Sequence, residues 1–103
     1  MAVTIAASEN SSAVVLAPGE SVAICGTLTG TATLTPKLSN DNGATYWPMS
    51  SPSDMAATVA FTATFGWVEL KAPSKTPPKS AHYLFRLENG SGGSWSVDGV
   101  PAT

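Results

Sequence analysis

The feature that most constrains this chain is a period-two alternation of apolar and polar residues, recurring along its length and broken at regular intervals by turn residues. No segment carries the 3.6-residue stripe of an amphipathic helix. In Thr31 to Leu38, Thr31, Thr33, Thr35 and Lys37 alternate with Ala32, Leu34, Pro36 and Leu38. Successive strand side chains point to opposite faces, so one set meets a core and the other meets water or a partner. Thr58 to Phe65 repeats the pattern, with Val59, Phe61, Ala63 and Phe65 on one face. Ala81 to Leu87 does so again, with Ala81, Tyr83, Phe85 and Leu87 inward. Ser94 to Asp98 turns Trp95 and Val97 inward, and Ser21 to Leu28 does the same with Val22 and Ile24. Val68 and Leu70 complete the predicted core, Val3 and Ile5 suggest an N-terminal strand over Met1 to Ala7, and Ala13 to Leu16 reads as another short strand.

The interruptions are turn chemistry. Pro18-Gly19 suits a tight turn, because proline presets its own φ and glycine accepts a positive one. Thr29-Gly30 parts two strands, and Asn89-Gly90 is a hairpin dipeptide lengthened by Ser91-Gly92-Gly93. Pro73 to Ser80 reads as the longest loop, and Pro48 to Asp54 as irregular. A chain of 103 residues is one domain. The expectation is therefore a single all-β domain over 1–103, an antiparallel β-sandwich, jelly-roll-like, of about eight short strands. Residues 1–12 form a strand or arm: Ser8 to Ser12 is a polar tether, so the terminal strand can pair with its own sheet or reach a neighbouring subunit.

Composition excludes several functions. Five Lys and Arg against seven Asp and Glu give a net charge of −2, which is no footprint for nucleic acid. No apolar run approaches the length of a membrane span, and no basic segment precedes an apolar one near the N-terminus as in a secretory signal. One Cys and one His make neither an internal disulfide nor a zinc site, and no cofactor is expected. His82 reads as a strand residue without positioned partners, and Cys25 as a small packed residue lacking an electropositive setting. The acids Asp41, Asp54 and Glu69 read as turn and surface residues, since no local motif pairs them across a cleft. Gly90, Gly92 and Gly93 lead into a strand and cradle no phosphate. The chain is read as no enzyme.

Ser39-Asn40-Asp41-Asn42-Gly43-Ala44-Thr45-Tyr46 resembles an Asp-box, S-x-D-x-G-x-T-W, with Tyr46 in the aromatic place. The pattern implies a hairpin tip: Asp41 accepts from backbone N–H groups, Gly43 takes positive φ, and the aromatic pins the returning strand on the core. It occurs in sialidase propellers and many other β proteins, and a single copy makes no propeller.

The order Gly26-Thr27-Leu28-Thr29-Gly30-Thr31-Ala32-Thr33-Leu34, that hairpin, Phe61 to Phe65, Trp67 to Pro73, then Tyr83 to Leu87 and a Gly-rich turn resembles the small all-β virion proteins of tailed bacteriophages. These include capsid decoration (cement) proteins and small tail or fibre modules. The resemblance covers residues 20–98 and implies a structural role without catalysis: a protein made in the host cytoplasm and placed on the outer capsid. Its partners would be the major capsid protein and further copies of itself, a homo-oligomer with a trimer favoured. The alternative is a tail or fibre module binding a host carbohydrate, for which Trp47, Trp67 and Trp95 are the aromatic candidates. Only 12% of residues are charged, so outward positions fall to Thr, Ser and Ala, as at a protein–protein interface. The candidate interface residues are Val3, Ile5, Trp67, Leu84 and the loop lysines Lys75 and Lys79.

Overall fold

Alternation of this kind can bury its apolar face only by stacking one sheet on another, and the chain does so. The computed structural model describes residues 2–50, 57–90 and 92–101. Eight strands follow in order: β1 Val3–Ile5, β2 Val14–Leu16, β3 Ser21–Gly30, β4 Leu34–Ser39, β5 Trp47–Pro48, β6 Phe65–Lys71, β7 Tyr83–Asn89 and β8 Gly93–Asp98. They form two four-stranded antiparallel sheets, ordered β1-β8-β3-β6 and β2-β7-β4-β5. The pairings are nested: β1 with β8, β2 with β7, β3 with β6 and β4 with β5. One long hairpin has been folded over on itself, with β3–β8 and β4–β7 contacts sealing the two sheets. This is the jelly-roll connectivity.

The inward residues of both sheets meet in one core. Ile24, Leu34, Phe85, Leu87, Trp95 and Val97 are fully buried, and Leu38, Phe61, Phe65, Val68 and Leu70 pack against them from the margin. Ile5, Leu16, Ala32, Ala72 and Val100 also lie in the core. The expected strand over Thr58 to Phe65 is corrected. Only isolated bridges form there, Ser50 with Thr58 and Leu34 with Phe61. The segment leaves the β4 side of the sandwich and crosses to the other sheet, so it cannot run along either. The strand itself begins at Phe65. The Thr31 start of the β4 strand is corrected in the same way, to Leu34.

A bulge sets the faces of β6. Ile24 pairs with Val68 and Gly26 with Phe65, so two steps on β3 match three on β6. The extra residue lets both Phe65 and Val68 face inward, while Gly66 and Trp67 face out. Phe65 stacks on Phe61 at 3.9 Å between centroids and lies 5.9 Å from the Trp95 ring. Gly26 makes room for that ring: a Cβ there would come within 2.8 Å of Phe65 Cε1. A side chain at Gly26 would force that ring to shift.

Asn89 does not act as a hairpin dipeptide. It is the last residue of β7, buried, and its Nδ2 donates to the carbonyls of Ile5, Ala6 and Gly93 at 3.1, 2.9 and 3.0 Å. The side chain thus fastens the end of β1 to the β7–β8 turn. Ser8 and Asn89 backbone bonds to Gly90 and Glu9 complete this attachment. The polar run after β1 is accordingly held: Ser11 is buried, its N–H donates to the Leu87 carbonyl, and its Oγ accepts from the Leu87 N–H. The N-terminal arm pairs within its own sheet.

Candidate functional site

The turn that resembles an Asp-box is organised by its serine. Ser39 is wholly buried; its Oγ donates to Asp41 Oδ1 at 2.8 Å and accepts from the Gly43 N–H at 2.8 Å. Asp41 Oδ1 also accepts from the Thr45 N–H at 2.8 Å. That backbone bond first, and the Ser39 hydroxyl second, hold the Asp41 carboxyl below its ordinary range. Gly43 has φ 95°, and Asn42, at φ 59°, occupies the left-handed region that Asn tolerates. The aromatic does not pin the core, contrary to the expectation. Tyr46 lies on the outer face, under the Arg86 guanidinium at 3.8 Å, because Trp47 beside it pairs with inward Leu38 and alternation turns Tyr46 the other way.

Around Tyr46 the outer face of the second sheet carries an ion-pair cluster. Lys37 and Arg86 sit opposite each other in the β4–β7 register. Both reach Glu88: Lys37 Nζ at 2.7 Å, Arg86 Nη2 at 2.6 Å and Nε at 3.0 Å. Burial pushes the Glu88 carboxyl up, and the bonds from Lys37 and Arg86 outweigh it, leaving it below its ordinary range. Alternation alone places Arg86 and Glu88 on one face, but the register that brings in Lys37 is a tertiary fact. Leu84, a candidate interface residue, lies on this face beside Val15 and Ser39. The Gly43 turn folds over Leu84, and Val15 is left 60% exposed.

The other candidates lie apart. Ile5 is corrected: at 1% exposure it belongs to the core, because β1 pairs with β8 and turns Ile5 in beside Trp95. Val3 is half-buried on the edge strand β1 and packs against the same core. Lys75 and Lys79 are exposed in the 72–82 connection, whose backbone is pinned where Tyr83 Oη donates to the Lys75 carbonyl at 2.7 Å. Trp67 is 67% exposed on β6, the edge of the first sheet opposite β1. The sequence candidates thus form no single patch. Of the three tryptophans, Trp95 is in the core and the other two are at the surface. The Ser51 to Asp54 part of the expected irregular run, Asp54 included, lies outside the described residues.

Two surfaces remain as sites. The first is the outer face of the first sheet, where Thr4, Ser96 and Thr27 stand in one row and Ser94 and Thr29 in another. With Ser21, Ala23 and Cys25 they make a plane of small neutral residues, with charge confined to its margins: Glu69 and Lys71 beside Trp67 on the edge strand β6, and Asp98 at the end of β8. The second is a cleft of about 660 Å³ between the free edges of the two sheets, β6 and β5. Trp47, Met49, Val59, Leu70 and Tyr83 give it an apolar lining, with Asn40, Glu69 and Lys71 at its rim. Trp47 pairs with Leu38, so it faces the inner side of its sheet, and it is 59% exposed at β5, which is the edge of its sheet among the described residues. Comparison of the chain with protein-family models, curated proteins and solved structures returned no match.

Proposed function

We propose that this chain is a non-catalytic structural protein of a tailed-bacteriophage virion, a capsid decoration protein that clamps neighbouring major capsid subunits from outside. The observation that carries this reading is the outer plane of the first sheet. A free monomer of this size usually keeps charge on such a face for solubility. Here Thr, Ser and Ala fill the middle of the face, charge is left to Glu69 and Lys71 on the β6 edge and Asp98 at the end of β8, and a two-thirds-exposed tryptophan stands at that edge. Charge depletion with an aromatic anchor is the composition of an interface centre. The net charge of −2 suits the outside of a shell better than contact with packaged DNA. Clamping is then burial of this plane across subunit junctions. Repetition over a shell, and linkage of copies to one another, let modest single contacts hold by multivalency.

A second reading, a tail or fibre module that takes a carbohydrate or another tail protein, is favoured by the cleft. An exposed Trp47 ring beside Asn40, Glu69 and Lys71 combines a stacking platform with polar groups. Heads and tails separated from virions assembled with this chain, then analysed by mass spectrometry, test both. Recovery with heads is expected. Recovery with tails would transfer the chain to the second reading, and absence from purified particles would refute both.

A further inference from the structure

The edge strand β6 is self-complementary, and we infer that two copies of this chain join through it about a two-fold axis centred on Leu70, extending the first sheet into one continuous eight-stranded sheet. The inference deepens the assembly reading by naming a second copy as the partner.

β6 pairs with β3 on one side only. The Ala72 N–H donates to the Glu20 carbonyl on that side at 2.8 Å. Antiparallel pairs alternate, so Leu70 and Val68 also turn their backbone groups to β3, and Glu69 and Lys71 turn theirs to the open edge. An unpaired edge of this kind is a template for another strand. A second β6 can pair antiparallel with it only in registers that set outward-turned residues opposite each other.

Charge selects among those registers. A two-fold at Glu69 faces glutamate with glutamate, and one at Lys71 faces lysine with lysine. A two-fold at Val68 sets Trp67 against Glu69 and leaves both lysines unmatched. A two-fold at Leu70 sets each Glu69 opposite the Lys71 of the other copy, twice, in hydrogen-bonded positions. It also sets Leu70 against its own equivalent and Trp67 against Pro73. Within the chain, the β3 neighbours of Glu69 and Lys71 are Ala23 and Ser21, so neither charge has a partner there. A single edge lysine blunts pairing. An opposite charge two residues away makes the same edge attract a copy of itself, as an isologous interface requires. The axis passes along the cleft margin, so each copy brings its β6 up to the other's apolar opening beside Leu70 and Trp47. This is a two-fold contact in place of the three-fold one expected from the virion resemblance.

The test uses the purified chain alone in low salt, so its result is independent of where the chain sits in a virion. Sedimentation velocity should give a species of twice 10.5 kDa that dissociates on dilution. Lys71→Glu or Glu69→Lys alone turns both attractive pairs repulsive and should weaken the dimer about tenfold or more. The double exchange Glu69→Lys with Lys71→Glu should restore it. Circular dichroism and melting temperature, unchanged across the set, exclude unfolding as the cause. A chain that stays monomeric at every concentration, or forms trimers or larger species, overturns the inference. So does a dimer insensitive to either single change, or one that the double exchange fails to recover.

Discussion

Asn89→Asp exchanges one amide for a group of almost the same shape, and its consequences follow from the three carbonyls that Asn89 serves. In the native chain Nδ2 donates to Ile5, Ala6 and Gly93. A carboxylate at that place has no proton to donate and sets negative charge against three carbonyl oxygens in a buried site. Losing the donors costs about 1 kcal/mol per bond, and an uncompensated buried charge about 3–5 kcal/mol in total. Against a domain stability of roughly 5–15 kcal/mol, that is a large fraction. The melting temperature should drop by about 12 °C or more, since 1 kcal/mol moves a domain of this size by roughly 4–8 °C. The sign of the pH dependence is also set. The buried carboxyl of the variant ionises less readily folded than unfolded, so the penalty is full at neutral pH. It shrinks as pH falls toward the ordinary carboxylate range, where the protonated form again donates one bond. Urea unfolding followed by tryptophan fluorescence at pH 7 and at pH 4 measures both effects. A loss under about 1 kcal/mol at pH 7, or a loss that does not shrink at pH 4, would refute the assignment of Asn89 as the fastener of β1.

Further expectations rest on the turn and the core. Gly43→Val should destabilise by more than about 1 kcal/mol, since a β-branched residue tolerates positive φ poorly and its Cβ would stand 3.3 Å from Leu84 Cδ1; an unchanged melting temperature would contradict this. The Asp41 carboxyl is held down in the folded chain, so its contribution is present above its unfolded pKa and lost as pH falls through its folded one. Asp41→Asn should therefore flatten the acid limb of the stability curve, and a parallel acid limb in wild type and variant would count against the Thr45 and Ser39 bonds. Phe85→Ala should cost about 3–5 kcal/mol in chemical denaturation, because Phe85 is fully buried at the centre of β7.

The period of two in the sequence determined the sheets and the inward residues. Leu34, Phe85, Leu87, Trp95 and Val97 lie in the core because their parity, and that of their neighbours, admits no other orientation. The Ser39 to Tyr46 pattern likewise contains its own turn, since Ser39 accepts from the Gly43 N–H and Asp41 from the Thr45 N–H, each four residues on. Local rules reach that far and stop at contacts between distant segments. The bulge that puts Phe65 and Val68 on one face depends on β3 lying alongside. Asn89 reads as a turn residue until β1, eighty-odd positions earlier, brings it carbonyls to bind. Tyr46 finds Arg86, and Lys37 finds Glu88, only through the β4–β7 register. The N-terminal strand could pair at home or abroad by its sequence. Burial of Ile5 against Trp95 decided for home, because a strand so short gains its free energy from the core it completes rather than from its own hydrogen bonds. Which edges stay open, and so where Trp47 and Trp67 meet the outside, belonged to the nesting of the eight strands alone.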